Sequence, residues 1–122
     1  MDFSQALKQH LTAIETRDLA AYLATVGGDV SLVLPDGRLL QGRDAVGDFH
    51  REWFADPDWS WRLTPQHTAT AGGAAVAVFA VEYHDRDQHG EPYSTRYRLS
   101  LTFGRTADGE WRLLHDQNTP LA

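Results

Sequence analysis

Helical periodicity in this chain stops near residue 56, and everything after that point reads in strands. Phe3, Ala6, Leu7, His10, Leu11 and Ile14 recur at the three- and four-residue spacing of an amphipathic helix, with Lys8, Gln9, Glu15 and Arg17 on the other side. Asp18 offers an N-cap to a short second helix that shows Leu19, Tyr22, Leu23 and Val26 on one face before Gly27 and Gly28 stop it. Residues 30–34 and 38–41 flank the turn Pro35-Asp36-Gly37 and read as a small hairpin. A third helix starts at Gly42 and carries Ala45, Val46, Phe49, His50 and Trp53 along one stripe. It ends by Asp56, because proline disfavours helix at the residue before it. Residues 59–70, 74–84, 92–103 and 110–118 are then four longer strands, separated by Gly72-Gly73, by residues 85–90 and by Ala107-Asp108-Gly109. This order predicts an α+β domain in which three N-terminal helices pack on a curved, mainly antiparallel sheet.

At 122 residues the chain is read as one domain, residues 1–122, large enough to hold a core without staples. It has no cysteine, which removes disulfide frameworks, thiolate metal sites and cysteine nucleophiles together. Lys and Arg number 11 against 17 Asp and Glu, for a net charge of −6, and the basic residues are scattered. Nucleic acid is not an expected partner, since phosphate neutralisation needs a basic face. The first residues lack a basic, then apolar leader, and no stretch approaches the roughly 18 apolar residues of a membrane span, so a cytoplasmic location is expected.

The segment from Ala75 to Val81 is apolar at both parities, so both faces of the sheet should be covered there. Helices can cover one. A second copy of the chain is expected on the other, through the faces carrying Phe79, Val81, Trp111 and Leu113.

Three local patterns accompany this order: Ala13-Ile14-Glu15-Thr16-Arg17-Asp18-Leu19, then Pro35-Asp36-Gly37 followed by Gly42-Arg43-Asp44-Ala45-Val46, and Asp108-Gly109-Glu110-Trp111-Arg112-Leu113-Leu114-His115. With them the chain resembles the NTF2-like superfamily, and within it the SnoaL-like and DUF4440-like proteins. The resemblance implies a cystatin-like cone, a homodimer through the outer sheet face, and a pocket between helices and concave sheet. It does not fix an activity, because the fold hosts isomerases, cyclases, dehydratases, epoxide hydrolases and non-catalytic association domains.

Compared with ketosteroid isomerases, the general-base position before the turn proline is Leu34, and the two oxyanion positions fall near His10 and Leu99. That chemistry is disfavoured. Compared with limonene epoxide hydrolases, Asp116 matches the late catalytic aspartate, whereas the Arg and second Asp fall near Glu82 and His84, and the water-positioning residues meet Val33 and Leu34. SnoaL-like cyclases, which also place an acid/base Asp late in the chain, remain compatible with Asp116. Of the His-x-His-x-Ser ending of association domains only His115 survives, with Gln117 and Thr119 at the other two places.

Carried over from the family, alternation in the last strand turns Leu114, Asp116 and Asn118 inward; the same reasoning turns Val78, Ala80, Glu82 and His84 inward from the strand at 74–84. Asp116, Glu82 and His84 are thus the candidate catalytic groups. Pairing of Glu82 or Asp116 with Arg96, Arg98 or Arg112 is the structural alternative. His10, Tyr22, His50 and Trp53 join Leu114 and Asn118 as candidate pocket residues; each is also a plausible core side chain. Trp59 and Trp61 share a strand face and serve to close either the cavity or the dimer interface. The run His84-Asp85-Arg86-Asp87-Gln88-His89 lacks regular zinc or calcium spacing and reads as a polar turn. No phosphate loop, dinucleotide fingerprint or nucleophile elbow occurs, so no metal or cofactor is expected. The expectation is a domain that binds a small hydrophobic molecule and catalyses a cofactor-free proton transfer of cyclase or isomerase type. The alternative is a non-catalytic binding or dimerisation module on the same scaffold.

Overall fold

Two helices, α1 (Phe3–Glu15) and α2 (Leu19–Leu23), lead into the strands β1 (Val26–Val33) and β2 (Leu39–Gln41) of the computed structural model, which describes residues 1–122. Then come α3 (Arg43–Ala55), β3 (Ser60–Ala71), β4 (Ala74–Arg86), β5 (Pro92–Arg105) and β6 (Trp111–Pro120). The strands form one sheet in the order β2-β1-β6-β5-β4-β3, antiparallel except where β1 runs parallel to β6. The helices are therefore not all N-terminal, since α3 follows the first hairpin. Gly27 and Gly28 lie inside β1 and do not stop α2, which has already ended at Leu23. No helix is long and apolar enough to cross a membrane.

Local chemistry explains the boundaries. Asp2 and Gln5 form a reciprocal capping box at the start of α1, with the Gln5 amide donating to Asp2 Oδ1 at 2.8 Å. Asp18 caps α2 by accepting from the Ala21 amide at 3.0 Å, as its sequence position predicts. Pro65 lies on β3, the edge strand, beside an irregularity that leaves Gln66 without a partner in β4; proline is tolerated in such places because no ladder hydrogen bond is lost.

The helices cover one face of the sheet and the core lies between the two layers. Ala77, Phe79 and Val81 of β4, Leu99, Leu101 and Phe103 of β5, and Leu113 of β6 meet Ala6, Ala13 and Ile14 of α1, Tyr22 of α2 and Val46 of α3. Each large apolar side chain so buried contributes roughly 1.5–3 kcal/mol. The parity that carries Phe79, Val81 and Tyr83 takes the inner face, which leaves Val76, Val78, Ala80, Glu82 and His84, the set that ends in charged and polar side chains, on the outer one. This reverses the sequence-based facing of β4.

In β6 the facing changes along the strand. Thr102 pairs with His115 and Phe103 with Leu113, so Leu114 is an extra residue with no partner across the ladder. This β-bulge puts Leu113 and Asp116, three positions apart, on the same inner face. Trp111 and Leu113 are consequently core residues, as are Phe79 and Val81, and none of the four is available to a dimer face. Leu114 points outward, 45% exposed, over the bare backbone of Gly104.

Candidate functional site

Between α1, α3, the first hairpin and the concave side of the sheet lies a cavity of about 300 Å³. That is the lower end of the range for small-molecule sites. Ile14, Leu32, Leu99 and Leu101 give it an apolar side; Phe49, Trp53, Trp61, Tyr83, Tyr93 and Tyr97 give it an aromatic one. Asp116 is the only carboxylate in the lining, and no Lys or Arg reaches it.

Asp116 is 6% exposed. Its Oδ1 accepts from the Asn118 side-chain amide at 2.9 Å, and Oδ2 receives no donor from the protein. Burial pushes its pKa up to about 7, against the smaller opposite effect of the Asn118 bond. The charge of the ionised carboxylate acts on Tyr22 and Tyr97, whose hydroxyls are held above their ordinary range first by burial and then by Asp116.

His50 lines the same cavity. Its Nδ1 lies 2.8 Å from the Val46 carbonyl, which can only accept, so Nδ1 carries the proton and Nε2 is the acceptor. Burial lowers its pKa to about 4, so the ring is neutral. It stacks on Tyr22 with 3.9 Å between ring centroids. Behind them, Thr25 spends its hydroxyl proton on the Tyr22 carbonyl at 2.6 Å, and therefore accepts from His10 Nδ1 at 2.7 Å. His10 Nε2 and the Tyr22 hydroxyl are sealed in with no partner. Burial, helped by His50, lowers the His10 pKa to about 3. These three rings form a neutral, rigid wall behind the carboxylate.

The aromatic wall is fixed by its own polar tips. Trp53 Nε1 donates to the Tyr83 hydroxyl at 2.9 Å, which donates to Asp85 Oδ2 at 2.8 Å. Trp59 stacks on Trp53 at 4.4 Å and donates to its carbonyl, while Arg17 lies over the other side of Trp59, 4.0 Å from its centroid.

The model of the SnoaL-like domain matches residues 4–121. The chain belongs to the SnoaL-like family. No curated protein matches its sequence. Among solved structures this SnoaL-like chain is similar to a protein with a cystatin-like fold from Caulobacter vibrioides, at 23% identity and TM-score 0.82, over 98% of this chain and 87% of that one. It is similar also to a ketosteroid isomerase-like protein from Erwinia carotovora atroseptica, at 19% identity and TM-score 0.81 over 98% and 93%. The association domain of C. elegans CaMKII aligns at 19% identity and TM-score 0.71 over 97% and 92%. At these identities the likeness establishes the NTF2-like, cystatin-like fold.

In the SnoaL-like cavity the structure brings Asp116, Asn118, His50 and Trp53 together. His10 and Tyr22 stand one layer behind the lining. Three candidates lie elsewhere. Glu82 is on the outer sheet face and pairs with Arg62 at 2.8 Å, not with the arginines considered from the sequence. His84 is exposed on that same outer face, hydrogen-bonded to Ser94 Oγ at 2.6 Å. Leu114 is turned out by the bulge. Sequence reasoning missed Tyr83, Tyr93 and Tyr97 as lining residues and left Trp61 undecided. The alternation Tyr93, Thr95, Tyr97, Leu99, Leu101 carried the signal, since all five face the cavity.

Proposed function

We propose that this SnoaL-like domain binds a small, largely apolar molecule in the cavity and catalyses a cofactor-free proton transfer on it, with Asp116 as the acid/base. One observation carries the reading: a buried carboxylate with a pKa of about 7 keeps one oxygen free inside an apolar cavity. Such a group is divided between acid and base at neutral pH, so it takes a proton from the ligand in one step and returns it in the next. Asn118 orients it, and neutral His50 offers Nε2 as an acceptor to a ligand hydroxyl. Exchange of carbon-bound hydrogen in deuterated water, followed by NMR on small aromatic and terpenoid ketones that raise the melting temperature, tests this. Asp116→Asn should slow the exchange by about a hundredfold or more while binding persists. Exchange at the background rate in the parent protein would remove the reading.

A second reading is a non-catalytic binding or dimerisation module. It is favoured by the absence of a second carboxylate from the cavity lining. Under either reading the chain forms a homodimer through the outer sheet face carrying Val76, Val78, Ala80 and Leu114.

A further inference from the structure

Asp116 is the only charged side chain among the residues that line the cavity. Asp116 lies at the buried end, and its free oxygen has no cationic partner. Tyr93, 44% exposed, marks the mouth, and the charges of Asp85, Asp56 and Asp87 add to burial in raising its hydroxyl pKa. Asp56 lies beside Asp85: the amide of Asp58 lowers its pKa, but burial and the neighbouring carboxyl outweigh that and raise it. None of Asp56, Asp85 or Asp87 forms an ion pair with an arginine or lysine. Between mouth and floor stand the rings of Trp53, Trp61, Tyr83 and Tyr97. Aromatic faces attract cations through their quadrupole, and most strongly where water is excluded.

Building on the proposed use of this cavity, we propose that its ligand carries a positively charged, weakly hydrated nitrogen, a protonated or quaternary amine on an apolar body, and that carboxylates and phosphates are rejected. A buried carboxylate without a counter-charge is costly to ionise, and a ligand cation supplies the missing partner. An anion would meet the opposite field with no guanidinium or ammonium group to receive it. The rings favour an organic cation over a metal ion, and no cluster of three metal-ligating side chains exists in the chain.

The pairing has a protonic signature. A cation seated at the buried end of the cavity, beside the free oxygen of Asp116, drives that carboxyl to ionise. The other groups facing it do not titrate with it. Tyr22 of α2 and Tyr97 of β5 stay protonated, His50 of α3 and His10 of α1 stay neutral, and Asn118 and the β1 side chain Leu32 carry no charge. Cation binding should therefore release one proton below pH 7 and weaken as the medium becomes acidic.

Calorimetric titration with benzyltrimethylammonium, benzyl alcohol and benzoate, at pH 8 and pH 5.5, tests the proposal. The fixed charge of the first probe leaves the protein as the only source of pH dependence. It should bind at least about tenfold more tightly than benzyl alcohol at pH 8 and lose about tenfold or more at pH 5.5, while benzoate does not bind. Asp116→Asn should abolish both the preference and its pH dependence without weakening benzyl alcohol. Tyr93→Leu, at an exposed position where folding is not at stake, should lower the affinity for the cation more than that for benzyl alcohol, by a smaller factor than Asp116→Asn. Equal affinity for the cation and the alcohol, a pH-independent preference, or no binding of any probe would overturn the proposal. Cation preference without hydrogen exchange on any amine would keep it and remove the acid/base reading; exchange on neutral ketones without cation preference would do the reverse.

Discussion

Asn118 divides one side-chain amide between two acceptors, the Val33 carbonyl and Asp116 Oδ1, each at 2.9 Å. The first bond ties β6 to β1 and the second holds the carboxylate to its own strand. Because the amide favours the ionised form, Asn118→Ala should move the Asp116 pKa further above 7, by about one unit. Carbon-detected NMR titration of the carboxyl reads this directly. An unchanged or lower value would mean that the bond does not act on the charge.

Burial of Asp116 also makes stability depend on pH. Its folded pKa, about 7, lies above the unfolded value of 3.8, so the folded state holds a proton that the unfolded state releases between those limits. The group favours folding below pH 4 and loses that contribution as the pH rises to 7. Asp116→Asn should therefore stabilise the domain at pH 8, by about 4 kcal/mol, and change little at pH 4. Urea unfolding at the two values decides the matter, and a destabilised variant at pH 8 would contradict it.

The two inner histidines act in the opposite direction. His10 and His50 ionise in the folded state only at about 3 and about 4, against 6.5 when free, so acidification below 6.5 protonates the unfolded chain first. Each removes about 1.4 kcal/mol per pH unit between 6.5 and 4, and Asp116 offsets one of them. The parent protein should lose about 1.4 kcal/mol per unit in that interval, and Asp116→Asn about twice as much. Equal slopes in the two proteins would show that the three groups do not titrate as placed.

Leu114 and Val78 belong to the outer sheet face, whereas Glu82 at its margin is already satisfied by Arg62. Val78→Arg or Leu114→Asp should shift the protein from dimer to monomer in sedimentation, because an unpaired charge buried in such an interface costs several kcal/mol. Glu82→Gln should leave ligand binding unaltered, by less than about 0.5 kcal/mol, as expected for an exposed ion pair away from the cavity. A monomeric parent protein would remove the interface, and a binding defect in Glu82→Gln would return that residue to the site.

Nearly every element was legible from periodicity and caps: the Asp18 cap, the stop before Pro57 and the four long strands appear where the sequence puts them. Facing was not. Alternation says which residues share a face but not which face is inward, and in the first part of β4 both sets are apolar; the set with Phe79, Val81 and Tyr83 went inward, and Glu82 and His84, which end the other set, went out to water. In β6 Asp116 and Asn118 turned inward as read, but Leu113 came with them, because strict alternation does not survive an extra residue at Leu114. The aromatic wall was dispersed over α3, β3, β4 and β5, and only the register of those strands assembles it.

The extra residue in β6 sets a frame for everything downstream of it. Without Leu114 the strand would alternate without interruption and Asp116 would still face inward, so length here is free to vary by one in the shortening direction. Lengthening is different: one more residue between Leu114 and Asp116, absorbed as regular strand, would carry the carboxylate to the outside and bring its neighbour His115 or Gln117 into the cavity. Gly104 is part of the same arrangement, since a Cβ there would come within 2.7 Å of the Leu114 side chain. Relatives that replace this glycine should therefore have lost the extra residue as well, and the two changes would mark a lineage in which the same acid is reached through a straight strand.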